Sequence, residues 1–153
     1  MAILQLRIGE LAERLELPVE TIRYYEREGL MPPPRRTDSN YRIYDALLID
    51  RLTFIRNCRA LDMTLDEIRE LLRLRDTPEQ DCTGVNDVLD AHIGHVSERI
   101  VELRRLKTQL RTLRDRCRQA HTVDDCEILG GLSERELLAA PYSPVHSRRA
   151  HKK

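Results

Sequence analysis

Residues 8–29 read IGELAERLELPVETIRYYEREG, and this stretch decides the fold. Its first apolar side chains recur at helical spacing, at Ile8, Leu11, Ala12 and Leu15. Leu17 and Pro18 interrupt the pattern, which resumes over residues 19–28, and Gly29 is placed to end the second helix. Two short helices joined by a tight turn are typical of a helix-turn-helix motif that binds DNA, although any small helical hairpin would show the same spacing.

The residues that follow predict a β-hairpin. Residues 32–34 are three prolines, which stop any helix. Residues 35–44, RRTDSNYRIY, then place two extended arms around a polar turn. A hairpin rich in arginine and tyrosine beside a helix-turn-helix is typical of a wing, whose side chains contact the phosphate backbone. The alternative is a solvated hairpin without a partner.

Two further helices complete this part of the chain. Asp45 is placed to cap one helix, and Thr64 with Glu67 forms the capping box of the next. We therefore expect residues 1–76 to form a winged helix-turn-helix domain and residues 77–84 to form a linker.

One long helix, predicted over residues 85–118, dominates the rest of the chain. Its apolar residues recur in steps of three and four, close to the spacing of a coiled coil; they are Ile93, Val96, Ile100, Leu103, Leu106, Leu110, Leu113 and Cys117. A helix of roughly 50 Å cannot bury this stripe on one small domain, so we expect a second copy to cover it. A metal-binding loop and a short helix are expected over residues 119–132, with the helical piece at residues 127–129 ended by Gly130 and Gly131. A disordered tail is expected over residues 133–153.

The composition excludes several classes of protein. No apolar run approaches the roughly 20 residues that span a membrane, and the first residues lack the apolar segment of a signal peptide. We therefore expect a cytoplasmic protein without a membrane partner, in which the cysteines stay reduced. The sequence motifs of nucleotide-binding loops, serine hydrolases and zinc proteases are missing, so nothing indicates an enzyme.

The charge distribution is more informative than the net charge. Lys+Arg and Asp+Glu each number 26, and this balance alone argues against a nucleic-acid-binding protein. However, the charges form blocks, with residues 60–95 at net −6 and residues 96–118 at net +5. Residues 23–59 carry 8 arginines against 5 acidic residues, a local excess that suits contact with DNA.

Three cysteines are placed to bind a metal ion. Cys82 precedes the long helix, Cys117 ends it and Cys126 follows, so about 50 Å of helix keeps the first from the other two within one chain. If two helices pack antiparallel, Cys82 of one chain approaches Cys117 and Cys126 of the other. Three thiolates without a fourth ligand favour Pb(II), Cd(II) or Hg(II) over structural zinc. A redox switch and inert thiols are the alternatives, and Cys58 is expected to be a small apolar core residue.

The histidines suggest a second candidate metal site. His92 and His95 lie one turn apart on the long helix, and Asp90, Glu67 and Asn86 are the candidate neighbours. A solvated or hydrogen-bonded pair is the simpler interpretation. The tail histidines, His146 and His151, are further candidates.

Three strings in the first domain closely resemble the opening of MerR-family transcriptional regulators. These are RIGELA at residues 7–12, VETIRYYEREGL at residues 19–30 and NYRIY at residues 40–44. The string TIRYYE is highly specific. Residues 81–82, 90–93 and 126–129 look like the cadmium- and lead-responsive branch, and the resemblance covers about residues 1–132.

The resemblance implies a mainly α fold in which the winged domain is followed by an antiparallel coiled-coil dimer. Such homodimers bind double-stranded promoter DNA, and metal binding distorts that DNA so that RNA polymerase can act. The DNA contacts it implies are Thr21, Arg23, Tyr24, Arg36, Tyr41 and Arg42. The metal ligands it implies are Cys117 and Cys126 with Cys82 of the partner subunit.

The resemblance also ranks the inducers. Pb(II) and Cd(II) come before Hg(II) and Zn(II), so the expected function is a metal-responsive activator and repressor of metal-resistance genes. A mercury-responsive regulator and a thiol-oxidation sensor on the same fold are the alternatives. Outside DNA binding, the alternative is a helical interaction module with structural cysteines.

Overall fold

The computed structural model describes residues 5–79, 81–119 and 122–133 and shows a mainly helical chain. Its elements in chain order are β1 (Gln5–Arg7), α1 (Ile8–Leu15), α2 (Val19–Arg27), β2 (Arg35–Arg36), β3 (Arg42–Asp45), α3 (Ala46–Ala60), α4 (Leu65–Arg75), α5 (Thr83–Asp115), a single 3₁₀ turn (Val123–Asp125) and α6 (Glu127–Leu132). Internal contacts divide the chain into residues 1–96 and residues 97–153, and α5 contributes to both units.

The first two helices form the predicted helix-turn-helix. After α1 the chain turns at Glu16, which has a left-handed φ of 53°, and Pro18 leads directly into α2. Gly29 follows α2 with a φ of +71°, a conformation that glycine adopts without strain. The amphipathic spacing in the sequence therefore predicts both helices correctly.

A three-stranded antiparallel sheet completes the winged domain, with strand order β1-β3-β2. The predicted hairpin corresponds to β2 and β3, in which Arg36 lies opposite Arg42. The first strand is absent from the sequence prediction, because three residues are too few to show an alternating pattern. Its pairing places Leu6 opposite Tyr44, so β1 is recognisable only once β3 is in place.

The core of the first unit is continuous. Its fully buried side chains come from both helix pairs, the wing and the connecting loops, and they include Leu11, Ile22, Leu30, Tyr44, Leu52, Ile55, Met63, Ile68 and Leu72. Val85 and Val88, from the start of α5, pack against this cluster. Burial of these side chains is the main source of stability for the domain that carries α2 and the wing.

Both predicted helix caps are present. Asp45 Oδ1 accepts the backbone N–H of Leu48 at 3.0 Å, at the start of α3. At the start of α4, Thr64 Oγ1 accepts the N–H of Glu67 at 3.2 Å, and Glu67 Oε2 accepts the N–H of Thr64 at 2.7 Å. These bonds satisfy backbone donors that have no partner within the helix.

The apolar stripe of α5 remains open over most of its length. Its exposed residues include Ile93, Val96, Ile100, Leu103, Leu106 and Leu110. Leu113 differs from the other predicted stripe residues because it is buried. A long apolar stripe that the described residues leave exposed is the feature expected of a helix that pairs with another.

The end of α5 packs against α6 within the second unit. The sequence predicts that the short helix stops at Gly130 and Gly131, but α6 continues through both to Leu132. A Cβ at Gly131 would lie 3.2 Å from Leu113 Cδ1 and 2.6 Å from Arg116 Nη1. The absence of a side chain therefore allows close approach, and this tertiary contact overrides the poor helix propensity of glycine.

The C-terminal tail and the predicted domain boundaries are not tested by the described helices and strands. The tail over residues 134–153, with His146 and His151, lies outside the described residues. The division into DNA-binding domain, linker, dimerisation helix, metal-binding loop and tail stays a prediction. Within the described ranges, no helix has both the length and the apolar character needed to cross a membrane.

Candidate functional site

An open groove of about 610 Å³ lies between α1, α2 and the wing. It brings together three of the six predicted DNA contacts, Arg23 from α2 with Tyr41 and Arg42 from the wing. The other lining residues are Arg7, Ile8, Gly9, Glu10, Glu13 and Asn40. The groove thus joins residues that are remote in sequence on one face of the winged domain.

The predicted contacts on α2 present side chains at its surface. Arg23 is exposed and its guanidinium Nη1 lies 2.9 Å from Glu20 Oε1. Tyr24 is exposed, and its ring centroid lies 5.8 Å from that of Tyr25, which belongs to the core. Thr21 is half-buried, and neither it nor Tyr24 lines the groove.

The remaining predicted contact, Arg36, holds the turn of the wing. Its Nη1 donates to Asn40 Oδ1 at 2.8 Å. Asn40 has a left-handed φ of 64°, which asparagine tolerates better than most residues, and its N–H donates to Thr37 O at 2.8 Å. Thr37 Oγ1 in turn accepts the N–H of Tyr41 at 3.1 Å. These bonds fix the turn that presents the exposed Tyr41 ring.

Arg7 is a groove residue that the sequence prediction did not include. Its guanidinium carbon lies 5.0 Å from the centroid of the Tyr41 ring, at the distance of a cation–π contact. The residue precedes α1, and its N–H donates to Glu10 Oε2 at 2.7 Å. The acidic residue three positions later was a signal of a helix start, but it gave no sign that β1 would place Arg7 beside the wing.

The three predicted thiolate ligands lie at the ends of helices. Cys82 belongs to the first unit and is exposed, and its carbonyl accepts the N–H groups of Val85 and Asn86 at the start of α5. Cys117 and Cys126 belong to the second unit and are half-buried. Thiols that are not buried can be reached by an ion from solvent. Sulfur is a ligand that soft metal ions prefer, so these three cysteines suit such an ion.

The fourth cysteine has a different environment. Cys58 lies on α3 and is buried in the core, and burial raises the pKa of its thiol. A thiol of raised pKa stays neutral and packs as a small apolar group. The prediction that Cys58 has a structural role is in agreement with this position.

Glu67, His92 and His95 form a compact cluster of metal-ligating side chains in the first unit. His92 Nδ1 lies 3.1 Å from Glu67 Oε2, and His95 Nδ1 lies 3.1 Å from Glu67 Oε1. One ligand atom from each residue falls within 4.8 Å of the others. Among the described residues, this is the one group of three or more His, Cys, Asp or Glu side chains close enough to hold a metal ion. The three predicted cysteine ligands are not part of it.

The surroundings of the cluster keep the Glu67 carboxylate charged and hold the His92 ring in one orientation. Burial by itself would raise the pKa of Glu67, but the Thr64 N–H and the two histidines outweigh this effect and hold that pKa below its usual value. His92 Nε2 lies 2.9 Å from Leu61 O. The Leu61 carbonyl can accept a hydrogen bond from Nε2, and this contact holds the ring with Nδ1 facing Glu67. Metal-ligating histidines are commonly oriented in this way.

Known proteins resemble this chain in both sequence and fold. The family model for MerR HTH regulatory proteins matches residues 6–74, and the MerR DNA-binding model matches residues 49–113. The ZntR homolog of Haemophilus influenzae, an HTH-type transcriptional regulator, is 49% identical over 111 residues, which cover 72% of this chain and 82% of that protein. The chain belongs to the MerR family of regulatory proteins. It is thus a DNA-binding regulator and not an enzyme, as the sequence predicts.

Two solved structures extend the comparison with this MerR-family chain. PbrR691 of Ralstonia metallidurans in complex with lead(II) is 51% identical, has a TM-score of 0.73 and covers 84% of this chain and 99% of its own. MerR of Bacillus megaterium in complex with mercury(II) is 36% identical, has a TM-score of 0.62 and covers 84% of this chain and 100% of its own. The similarity therefore extends well beyond the winged domain.

Proposed function

We propose that the protein is a homodimeric, cytoplasmic regulator that binds promoter DNA and activates metal-resistance genes when it captures Pb(II) or Cd(II). The observation that carries this proposal is the combination of a winged helix-turn-helix with three accessible cysteines that flank one long helix. Neither feature alone would indicate a metal-responsive switch, because many regulators share the winged domain and many proteins carry accessible thiols.

The DNA contacts are proposed on α2 and the wing. The three predicted contacts in the groove, Arg23, Tyr41 and Arg42, offer two guanidinium groups and one phenol to a phosphate backbone. Thr21 and Tyr24 project from the same helix, and Arg36 stands at the base of the wing turn. Since recognition helices enter the major groove, α2 is proposed to read base edges while the wing holds the backbone.

The metal site is proposed to form across a dimer. The open stripe on α5 supports pairing with a second copy, and an antiparallel pair brings Cys82 of one chain to Cys117 and Cys126 of the other. Each dimer then contains two sites with three thiolates each. Thiolates are soft ligands, so this donor set favours thiophilic ions over Mg(II) or Ca(II).

The ranking of the metals rests on the donor set and the relatives. A relative crystallised with lead(II) shares 51% of its sequence with this chain, whereas the one crystallised with mercury(II) shares 36%. Pb(II) therefore stands first, Cd(II) is retained for its equal preference for thiolates, and Hg(II) and Zn(II) are the alternatives. Metal capture is proposed to rotate the winged domains, which changes the DNA twist that RNA polymerase meets.

A complementation experiment tests the shared site. We mix Cys82→Ser chains with Cys117→Ser/Cys126→Ser chains and titrate Pb(II) under reducing conditions. The mixed dimer retains one complete site only if the ligands come from two subunits, so the thiolate-to-metal absorption band returns on mixing. Cys58→Ser is the control and keeps the band. No band in the mixture, or a full band in Cys82→Ser alone, contradicts the shared site.

A reporter assay tests the regulatory function and its rival. The promoter upstream of the chain's own coding sequence is placed before a reporter, and Pb(II), Cd(II), Hg(II), Zn(II) and peroxide are compared. We expect Pb(II) or Cd(II) to give the largest induction and Cys126→Ser to abolish it. Induction by peroxide without any response to metal would replace this proposal by a thiol-oxidation sensor.

The Glu67, His92 and His95 cluster is proposed as a second, weaker metal site. Two imidazole nitrogens and one carboxylate suit Zn(II) or Cd(II), and they lie together without rearrangement of the backbone. We expect the double substitution His92→Ala/His95→Ala to remove one equivalent of bound Cd(II) per chain while the thiolate absorption band persists. Unchanged stoichiometry would remove this second site, and a role for His146 or His151 in it stays a prediction.

A further inference from the structure

Glu26 is a nearly buried carboxylate beside the DNA-contact groove. It lies on α2, and 13% of its side chain is exposed. Its Oε1 accepts the hydroxyl of Tyr44 at 2.5 Å, and its Oε2 lies 3.6 Å from Arg42 Nε. One side chain of the helix therefore holds two side chains of the wing.

The register of β3 explains why a single carboxylate can reach both partners. Arg42 and Tyr44 are two residues apart on one strand, so their side chains emerge on the same face of the sheet. Tyr44 is fully buried, and burial and the hydrogen bond to Glu26 together raise the pKa of its hydroxyl. The hydroxyl consequently remains a neutral donor, and its bond to Glu26 persists at any physiological pH.

The position of Glu26 carries an electrostatic cost for DNA binding. A carboxylate next to Arg42 offsets part of the positive charge that the wing offers to phosphate. Electrostatics alone would therefore select against an acidic residue here. Its two contacts supply a reason for its presence, because they set the distance between α2 and the wing.

We infer that Glu26 is a positioning residue for DNA recognition, which joins α2 to the wing so that Arg42 and the recognition helix meet the operator at one fixed spacing. This inference rests on the proposed DNA contact of Arg42. The consequence is sequence specificity. A fixed spacing between Arg42 and α2 strengthens binding to an operator of matching geometry and does not strengthen binding to unrelated DNA. Loss of Glu26 should therefore weaken discrimination and leave general affinity for DNA intact or stronger.

The test compares two substitutions that change the charge equally. Glu26→Gln keeps an acceptor for Tyr44 but loses the ion pair with Arg42, and Glu70→Gln, on α4 beside Arg73, is the matched control. The full-length chain is measured on a duplex that the wild type selects from a random pool and on a scrambled duplex of equal length. We expect Glu26→Gln to lower the ratio of the two affinities about tenfold and Glu70→Gln to leave it within about twofold.

Further variants separate the possible failures. Arg42→Ala should weaken binding to both duplexes, and normal binding by this variant would refute the proposed DNA contact itself. A weakened Arg42→Ala beside a Glu26→Gln that keeps the full affinity ratio would refute only the positioning role. If Glu26→Gln fails to fold, Tyr44→Phe removes one of the two contacts while keeping the aromatic ring, and the same fall in the affinity ratio is expected of it. An unchanged ratio in that variant overturns the inference.

Discussion

Individual residues in this chain combine local and long-range roles. Glu67 is the clearest case, since it completes the capping box of α4 with Thr64 and its carboxylate also lies 3.1 Å from ring nitrogens of two histidines of α5. The capping role follows from the short local motif, but the histidine contacts require α4 and α5 to meet. A single carboxylate thus links a helix start to a candidate metal site.

The contribution of the cap can be measured at Thr64. Thr64→Ala removes the acceptor for the N–H of Glu67, so we expect the free energy of unfolding to fall by about 1 kcal/mol. Urea denaturation of the metal-free protein measures this change. Thr108→Ala, at an exposed position in the second half of α5, is the control, and its effect should stay within about 0.5 kcal/mol. Equal effects of the two substitutions would mean that the cap contributes nothing.

At the scale of elements, α6 shows how one glycine permits close packing. Its two glycines differ, because a Cβ at Gly130 meets nothing within 4 Å, whereas a Cβ at Gly131 meets Leu113. The sequence presents them as an equivalent pair that ends a helix. Only the packing of α6 on the end of α5 distinguishes them.

This difference predicts that alanine stabilises α6 at position 130 but not at position 131. Gly130→Ala should stabilise α6 by about 0.5–1 kcal/mol, since alanine is the better helix former. Gly131→Ala should lose that gain because Leu113 must move. Hydrogen exchange of the α6 amides measures both, and greater protection in Gly131→Ala than in Gly130→Ala would contradict the close-packing explanation.

The charges that border the apolar stripe of α5 are a second feature of this scale. A groove on the helix is lined by Leu103, Leu106 and Leu110 together with Lys107, Arg111 and Arg114, so a basic edge accompanies the stripe. The sequence before α5 is acidic, and Asp87 and Asp90 follow in the second turn of the helix. Antiparallel pairing would set acidic segments beside basic edges, whereas parallel pairing would set like charges together.

Charge reversal tests this arrangement. Arg111→Glu/Arg114→Glu should weaken the dimer about tenfold, because it places acidic groups at the edge of the proposed interface. Arg104→Glu/Arg105→Glu changes the net charge equally at positions outside that groove and is the control. Sedimentation equilibrium gives the dissociation constants. Equal weakening by both pairs would indicate a general charge effect, and a wild type that is monomeric would remove the dimer on which the shared metal site depends.

For the whole molecule, zero net charge conceals a surface suited to DNA. Strand β1, α2 and the wing place Arg7, Arg23 and Arg42 around one groove, although acidic residues elsewhere balance the total. Electrostatic attraction to phosphates depends on this local arrangement and not on the sum. A sequence whose charges form blocks that sum to zero is therefore compatible with a DNA-binding regulator.

The salt dependence of binding should report the same groove. Each phosphate contact contributes about −0.9 to the slope of log K, the association constant for DNA, against log salt concentration. We therefore expect Arg42→Ala to make this slope less negative by about one. Arg73→Ala, an exposed position on α4 paired with Glu70, should leave it unchanged. Fluorescence anisotropy across a salt series measures both slopes. Identical slopes for Arg42→Ala and the wild type would remove Arg42 from the DNA contacts.

Local patterns were sufficient to predict the helices, the wing hairpin and the caps. Apolar residues at helical spacing, the Thr64 capping box and the prolines before the wing act over a few residues, so their consequences are visible in the sequence. The buried position expected for Cys58 also follows from its place on the apolar face of α3. These features depend on neighbours along the chain.

Other features appeared only in the tertiary structure. Strand β1, the contact of Arg7 with Tyr41, the choice of Glu67 as the neighbour of the predicted His92 and His95 pair, and the close approach at Gly131 each join segments that lie far apart in sequence or on separate elements. The contact of Glu26 with the wing has the same origin, since its partners lie on β3. The physical reason is that such contacts depend on how elements pack, and a local pattern of residue types does not specify the distance between two side chains on different elements.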